Sequence, residues 1–130
     1  MTIPAMPVAS VLNLAVTRGA TWNTTAIYKD GATGAVIDLT GIKARMQIRS
    51  AIDAAVVILD CTTTNGRIDI VPAEGKVTID VGSNDTQLLS SAGQGAELFY
   101  DLELYDDAVS PEYIVPFLRG KLTVVAKVTR

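Results

Sequence analysis

Residues 42–49, Ile-Lys-Ala-Arg-Met-Gln-Ile-Arg, alternate apolar and polar side chains without a break. In an extended chain successive side chains point to opposite faces. Ile42, Ala44, Met46 and Ile48 then share one dry face, and Lys43, Arg45, Gln47 and Arg49 share a cationic, solvated one. A helix would scatter a spacing of two around its circumference, so the pattern predicts a strand. The same period recurs along the chain and organises everything else.

Residues 11–16 place Leu12, Leu14 and Val16 on one face, and Arg18-Gly19 breaks that strand. Residues 21–28 set Trp22, Thr24, Ala26 and Tyr28 against Asn23, Thr25 and Ile27. A glycine-marked turn at 30–34 and a short extended piece at 35–39 lead into the 42–49 strand. The nearly continuous apolar run at 56–61 predicts a strand covered on both faces. Asn65-Gly66 predicts a type I′ hairpin joining it to residues 67–71, because such turns need positive φ at both central positions. Pro72-Ala73-Glu74-Gly75 turns the chain again into residues 76–81, with Val77, Ile79 and Val81 inward, completing a meander.

Residues 83–89 admit one or two helical turns, with Ser83 as cap, Leu88 and Leu89 plugging an open end of the sheets, and Gly93 and Gly95 beyond. Residues 98–105 alternate Leu98, Tyr100, Leu102 and Leu104 inward with Phe99, Asp101, Glu103 and Tyr105 outward. After an acidic loop at 106–112, residues 113–118 and 121–128 read as a last pair around Arg119-Gly120, with Val128 inward and Pro116 marking an edge strand. Residues 1–10 hold Pro4 and Pro7 and read as an extended arm: either a disordered tail or, since Ile3, Met6 and Val8 are more apolar than a free tail needs, a segment that lies on a neighbouring subunit. Residues 11–130 then form one domain: eight or nine short strands and at most one short helix, an all-β two-sheet sandwich, with a barrel as the alternative.

A chain of 130 residues makes one core, and with one Trp, two Phe and four Tyr that core is mainly aliphatic. Eleven basic against fourteen acidic side chains give a net charge of −3. Nucleic-acid binders concentrate Lys and Arg, so no nucleic-acid partner is expected. The sequence has no His, which removes the commonest general base and metal ligand. Cys61 is alone, which removes intrachain disulfides and cysteine zinc sites. Gly93-Gln94-Gly95 follows no strand and lacks the Lys and hydroxyl of a phosphate loop. No apolar run approaches the ~20 residues of a membrane span, and the N-terminus lacks the basic start and apolar middle of a signal peptide. The expectation is a non-enzymatic protein made in a cytoplasm, with no cofactor, metal, membrane or small-molecule substrate.

Three features could still carry function. Asp101, Glu103, Asp106, Asp107 and Glu112 form the dense acidic cluster, without the Asp-x-Asp-x-Asp-Gly spacing of a calcium loop or the cleft of a glycosidase; a solvated loop explains them. Lys43, Arg45 and Arg49 form a cationic row that could meet phosphate, an acidic partner or only water, with the Asp101/Glu103 row as a cross-strand or cross-subunit complement. Trp22, Phe99 and Tyr105 are the aromatic residues read as candidates for an interface.

Arg18-Gly19-Ala20-Thr21-Trp22, Tyr28-Lys29-Asp30-Gly31, Ile37-Asp38-Leu39-Thr40-Gly41 leading into Ala44-Arg45-Met46-Gln47-Ile48-Arg49, Gly75-Lys76-Val77-Thr78-Ile79, Tyr100-Asp101-Leu102-Glu103-Leu104 and Gly120-Lys121-Leu122-Thr123-Val124 together resemble a family of phage tail and baseplate proteins. The likeness is to the N-terminal domain of upper baseplate proteins of lactococcal-type phages. It implies an immunoglobulin-like sandwich that serves as a connector or adaptor in a tail, baseplate or fibre attachment. Its partners would be other virion proteins and copies of itself, and its location the virion. Relatives of that type continue into a coiled coil or receptor-binding region where this sequence stops, so the resemblance does not extend to host binding. A capsid decoration protein is the alternative reading. The candidate interface comprises Ile3, Met6, Val8, Trp22, Lys43, Arg45, Arg49, Phe99 and Tyr105.

Overall fold

In a computed structural model, residues 9–89 and 96–126 are described. Alternating apolar positions build the strands β1 (Ser10–Val11), β2 (Leu14–Thr17), β3 (Trp22–Ile27), β4 (Lys43–Arg49), β5 (Leu59–Thr62), β6 (Ile68–Val71), β7 (Lys76–Val81), β8 (Ala96–Asp106) and β9 (Tyr113–Val125). A 3₁₀ turn at Pro72–Glu74 and a one-turn helix α1 (Ser83–Thr86) are the helical pieces among the described residues. The larger sheet runs β1–β9–β8–β4–β5, with β2 also on β9, and the smaller runs β3–β7–β6. Every pairing is antiparallel except those of β1 and β2, which lie parallel to β9. The molecule is an all-β two-sheet sandwich.

The core lies between the sheets and is made of the inward alternates. Ala44, Met46, Ile48, Leu102, Leu104, Leu122 and Val124 come from the larger sheet, and Ile68, Val77, Ile79 and Val81 from the smaller. Full burial of each larger aliphatic contributes about 1.5–3 kcal/mol, which is what holds two sheets with few aromatic residues together. Tyr28 and Phe117 meet edge to face across the core, ring centroids 5.2 Å apart. The β4, β7 and β8 faces follow the sequence pattern residue for residue.

Several expectations change. The apolar run at 56–61 is not a doubly covered strand: β5 begins at Leu59, is the edge of its sheet, and Val56 is 71% exposed. Asn65-Gly66 is not a type I′ hairpin turn. Only Gly66 has positive φ (+82°), and β5 and β6 belong to different sheets, so this loop is a corner between them. Asn65 shapes that corner. Its Oδ1 accepts the N–H groups of Thr62 (3.0 Å) and Arg67 (3.1 Å), its N–H donates to Thr62 Oγ1 (2.9 Å), and its Nδ2 donates to the Asp60 carbonyl (2.9 Å).

Arg119-Gly120 is no turn either, because β9 runs through it. Gly120 is there for closeness: a Cβ would stand 2.3 Å from the Leu12 carbonyl oxygen. Pro116 lies in β9 where its pairing with β8 shifts register, with Leu102 opposite Leu118 but Glu103 opposite Pro116; β9 is an inner strand only from Leu118 onward, so among the described residues its other side is an edge at Pro116, as expected. The first strand is two pieces, and Leu12 between them is exposed. Gly82, not Ser83, precedes α1 as its cap. Thr86 ties this turn down instead, its Oγ1 accepting the Gly19 N–H at 3.0 Å and donating to the Ala20 carbonyl at 2.8 Å. Leu89 is buried, but Leu88 faces out. The expectations for Ile3, Met6, Val8, Gly93, Gly95 and Val128 fall outside the described residues. Ser10, assigned to the arm, pairs with Leu118 as part of β1.

Candidate functional site

The outward face of β4 meets the outward face of β8 in direct register: Lys43 opposite Tyr105, Arg45 opposite Glu103, Gln47 opposite Asp101 and Arg49 opposite Phe99. Opposed positions in an antiparallel pair place side chains within reach of one another. Arg45 Nε donates to Glu103, its Nη2 to Glu112 at 3.2 Å, and its guanidinium lies 4.2 Å from the Tyr105 ring centroid. Lys43 Nζ reaches Asp107 Oδ2 at 3.0 Å. Three of the five residues of the acidic cluster, Glu103, Asp107 and Glu112, are thus the counter-charge of the cationic row, supplied by the β8–β9 hairpin of the same chain.

Protonation follows the pairing. The hydrogen bond and charge of Asp107 raise the pKa of Lys43. Partial burial works against the charge of Arg45, but Glu103 and Glu112 more than offset it, so its pKa too is raised. Asp101 is exposed as a residue, yet crowding of its carboxyl, followed by the nearby Glu103 charge, raises its pKa against the opposing pull of Arg49. Asp106 is buried, and its Oδ1 accepts the Ala108 N–H at 3.0 Å, shaping the loop. Among the described residues, no three metal-ligating side chains converge.

Arg49 belongs to a second feature. Its Nη1 donates to the Ala54 carbonyl at 2.6 Å and its Nη2 to Gln47 Oε1 at 2.7 Å, pinning the 50–58 loop beside the sheet. Together with Phe99, Val11, Ile52, Arg119 and Lys121 it lines a groove of about 700 Å³ over β8 and β9. The structure therefore brings Lys43, Arg45 and Tyr105 into one network, and Arg49 and Phe99 into one groove. Trp22 is corrected: at 5% exposure it is a core residue, because the first inward position of β3 faces the interior opposite Val81 on β7.

Two features escaped sequence reasoning. The Tyr100 hydroxyl crosses to donate to the Leu12 carbonyl, and the N-terminal strands pair in parallel with the last strand. A parallel pairing across more than a hundred residues leaves no local signal. No protein family matches the chain, and no curated protein matches it.

Proposed function

We propose that the chain is a non-enzymatic virion structural protein, a connector or adaptor in a phage tail, baseplate or fibre attachment. It is made in the host cytoplasm and taken into the particle by contacts with other virion proteins and copies of itself. The immunoglobulin-like pattern and the named sequence stretches motivate the class. One observation carries the reading: the described chain enters the sandwich at the margin of the larger sheet, with Ser10–Val11 on β9, and the sequence ahead of that margin is apolar at Ile3, Met6 and Val8. Sheet margins are where chains join, and folded proteins blunt them unless something covers them. The Lys43/Arg45 network supports a rigid face behind that margin.

The test removes residues 1–8 and keeps Ser10–Val11. The truncated protein is expected to melt within a few degrees of the full chain, since every core residue among the described ones is kept. It is expected to be missing from purified particles. Normal incorporation of the truncated chain would overturn the reading.

A further inference from the structure

The margins of the two sheets are not alike. An edge strand invites another chain, and folded proteins blunt it with charge, proline, shortness or cover. β5 is four residues long and its outer groups are taken: Asn65 Nδ2 and Arg67 Nη1 donate to the Asp60 carbonyl at 2.9 and 2.8 Å, and the Thr62 N–H donates to Asn65 Oδ1 at 3.0 Å. β6 is equally short, carries Asp69 and runs into Pro72. β1 and β2 are two and four residues long, and the stretch of β9 ahead of them contains Pro116. β3 has none of these devices. It is the end strand of the smaller sheet, six residues reading Trp-Asn-Thr-Thr-Ala-Ile, without charge, proline or glycine.

In an antiparallel pair alternate residues direct both N–H and C=O at the partner. The register of β3 on β7 runs on to Tyr28 and Gly75, where the Tyr28 N–H donates to the Gly75 carbonyl at 2.8 Å. On the other side of β7 the Asp80 N–H donates to the Arg67 carbonyl at 2.8 Å, which leaves the odd-numbered residues of β7 for β3. Trp22, Thr24 and Ala26 therefore bond to β7, and Asn23, Thr25 and Ile27 direct their main-chain groups outward. Among the described residues those groups have no hydrogen-bond partner. Thr24 and Ala26 share the inward side with Trp22 yet are only half-buried, so the sandwich is open beneath this margin.

We propose that the β3 edge pairs with the β3 edge of a second copy of this chain, antiparallel about a two-fold axis at Thr25. A two-fold contact is isologous, so the edge has to complement itself. With Thr25 opposite Thr25, Asn23 of each copy stands opposite Ile27 of the other. Every outward-bonding position then meets another, and each such pair exchanges two main-chain hydrogen bonds. An axis at Thr24 or Ala26 leaves one of these positions without a counterpart in the strand. Threonine opposite threonine is itself a favourable cross-strand pair. The strand carries no charge, so no like charges oppose one another and nothing in it selects an acidic or a basic peptide instead. The two small sheets become one continuous sheet, and both open edges are closed. The inference concerns the isolated protein and does not depend on the virion reading.

Sedimentation of the full-length protein tests it, with a monomer–dimer equilibrium expected. Thr25→Lys sets like charges against each other at the axis and should weaken dimerisation by about tenfold or more. Thr25 is exposed, so its replacement leaves the core untouched. Thr78→Lys puts the same charge on the same face one strand inward, opposite Thr25 on β7, and should leave dimerisation nearly unchanged. A cysteine pair reports the register independently of affinity. Thr25→Cys brings two thiols together at Cα atoms about 5.5 Å apart, a separation a disulfide spans. Mild oxidation should cross-link this variant, since the native Cys61 is buried. Asn23→Cys, whose two copies stand about 13 Å apart along the strands, should not cross-link. A chain that stays monomeric at millimolar concentration would overturn the proposal, and is the result expected if a different protein takes this edge. A dimer indifferent to Thr25→Lys, or cross-linked equally through Asn23→Cys, would place the contact elsewhere and overturn it too. None of these outcomes involves particle incorporation, so this proposal and the virion reading fail separately.

Discussion

Gly66 and Gly120 show how one residue type answers two physical demands. Gly66 sits at φ +82° with nothing within 4 Å of a would-be Cβ, so the demand there is conformational. Gly120 is needed because the Leu12 carbonyl carbon and oxygen and the Asn13 side chain crowd the space a Cβ would fill. Gly66→Ala should cost about 1 kcal/mol, the strain of a left-handed backbone. Gly120→Ala should cost about 3 kcal/mol, because backbone cannot move aside as a flexible side chain does. Urea midpoints of the two variants check the order, and equal losses would mean that β1 and β2 shift freely on β9.

Between β5 and β6 the decisive element is a corner and not a hairpin. Asn65 makes four hydrogen bonds there, three with main-chain partners on both sides of the crossing. Asn65→Ala should therefore lower stability by about 1–2 kcal/mol, the effect of leaving several backbone groups short of partners at a partly solvated site. An unchanged thermal midpoint would show that the corner is set by Gly66 and Arg67 alone. The same corner explains what the sequence made legible. Period two reports which face of a strand is wet, and it does so correctly for β4, β7 and β8. It does not report which strand lies alongside: Asn-Gly marks a reversal whether the chain returns to the same sheet or crosses to the other. Arg119-Gly120 misled for a related reason, since a glycine required by a neighbouring carbonyl looks the same in sequence as one required by a turn. The candidate site was half legible. The outward rows of β4 and β8 could be read, and their pairing guessed, but the groove needed the 50–58 loop and the N-terminal strands placed in space.

At the scale of the whole molecule, the described residues bury three weak acids, Cys61, Tyr28 and Tyr100, and burial raises the pKa of each, that of Tyr28 with help from the nearby Tyr113. Burial pushes the Cys61 thiol on β5 up to about 12, and burial likewise pushes the Tyr100 phenol on β8 up to about 12. Both groups keep their protons in the folded state at a pH where the unfolded chain would lose them, Cys61 from about 9 and Tyr100 from about 10. Between those values and 12 the unfolded state binds fewer protons than the folded one, so stability falls as pH rises. The contribution is intact below about pH 8.5, where both states hold their protons. The urea midpoint should thus be level near pH 7–8 and decline above about pH 9, well before lysines titrate. Cys61→Ala separates the two groups: its decline should begin about one unit later, near the unfolded Tyr value of 10. In the wild type a thiol reagent at pH 8 should label Cys61 only at the unfolding rate, because the sulfur is fully buried and held as the unreactive thiol. A midpoint unchanged to pH 11, or labelling faster than unfolding, would mean that the sandwich opens locally at β5, the edge strand that carries Cys61.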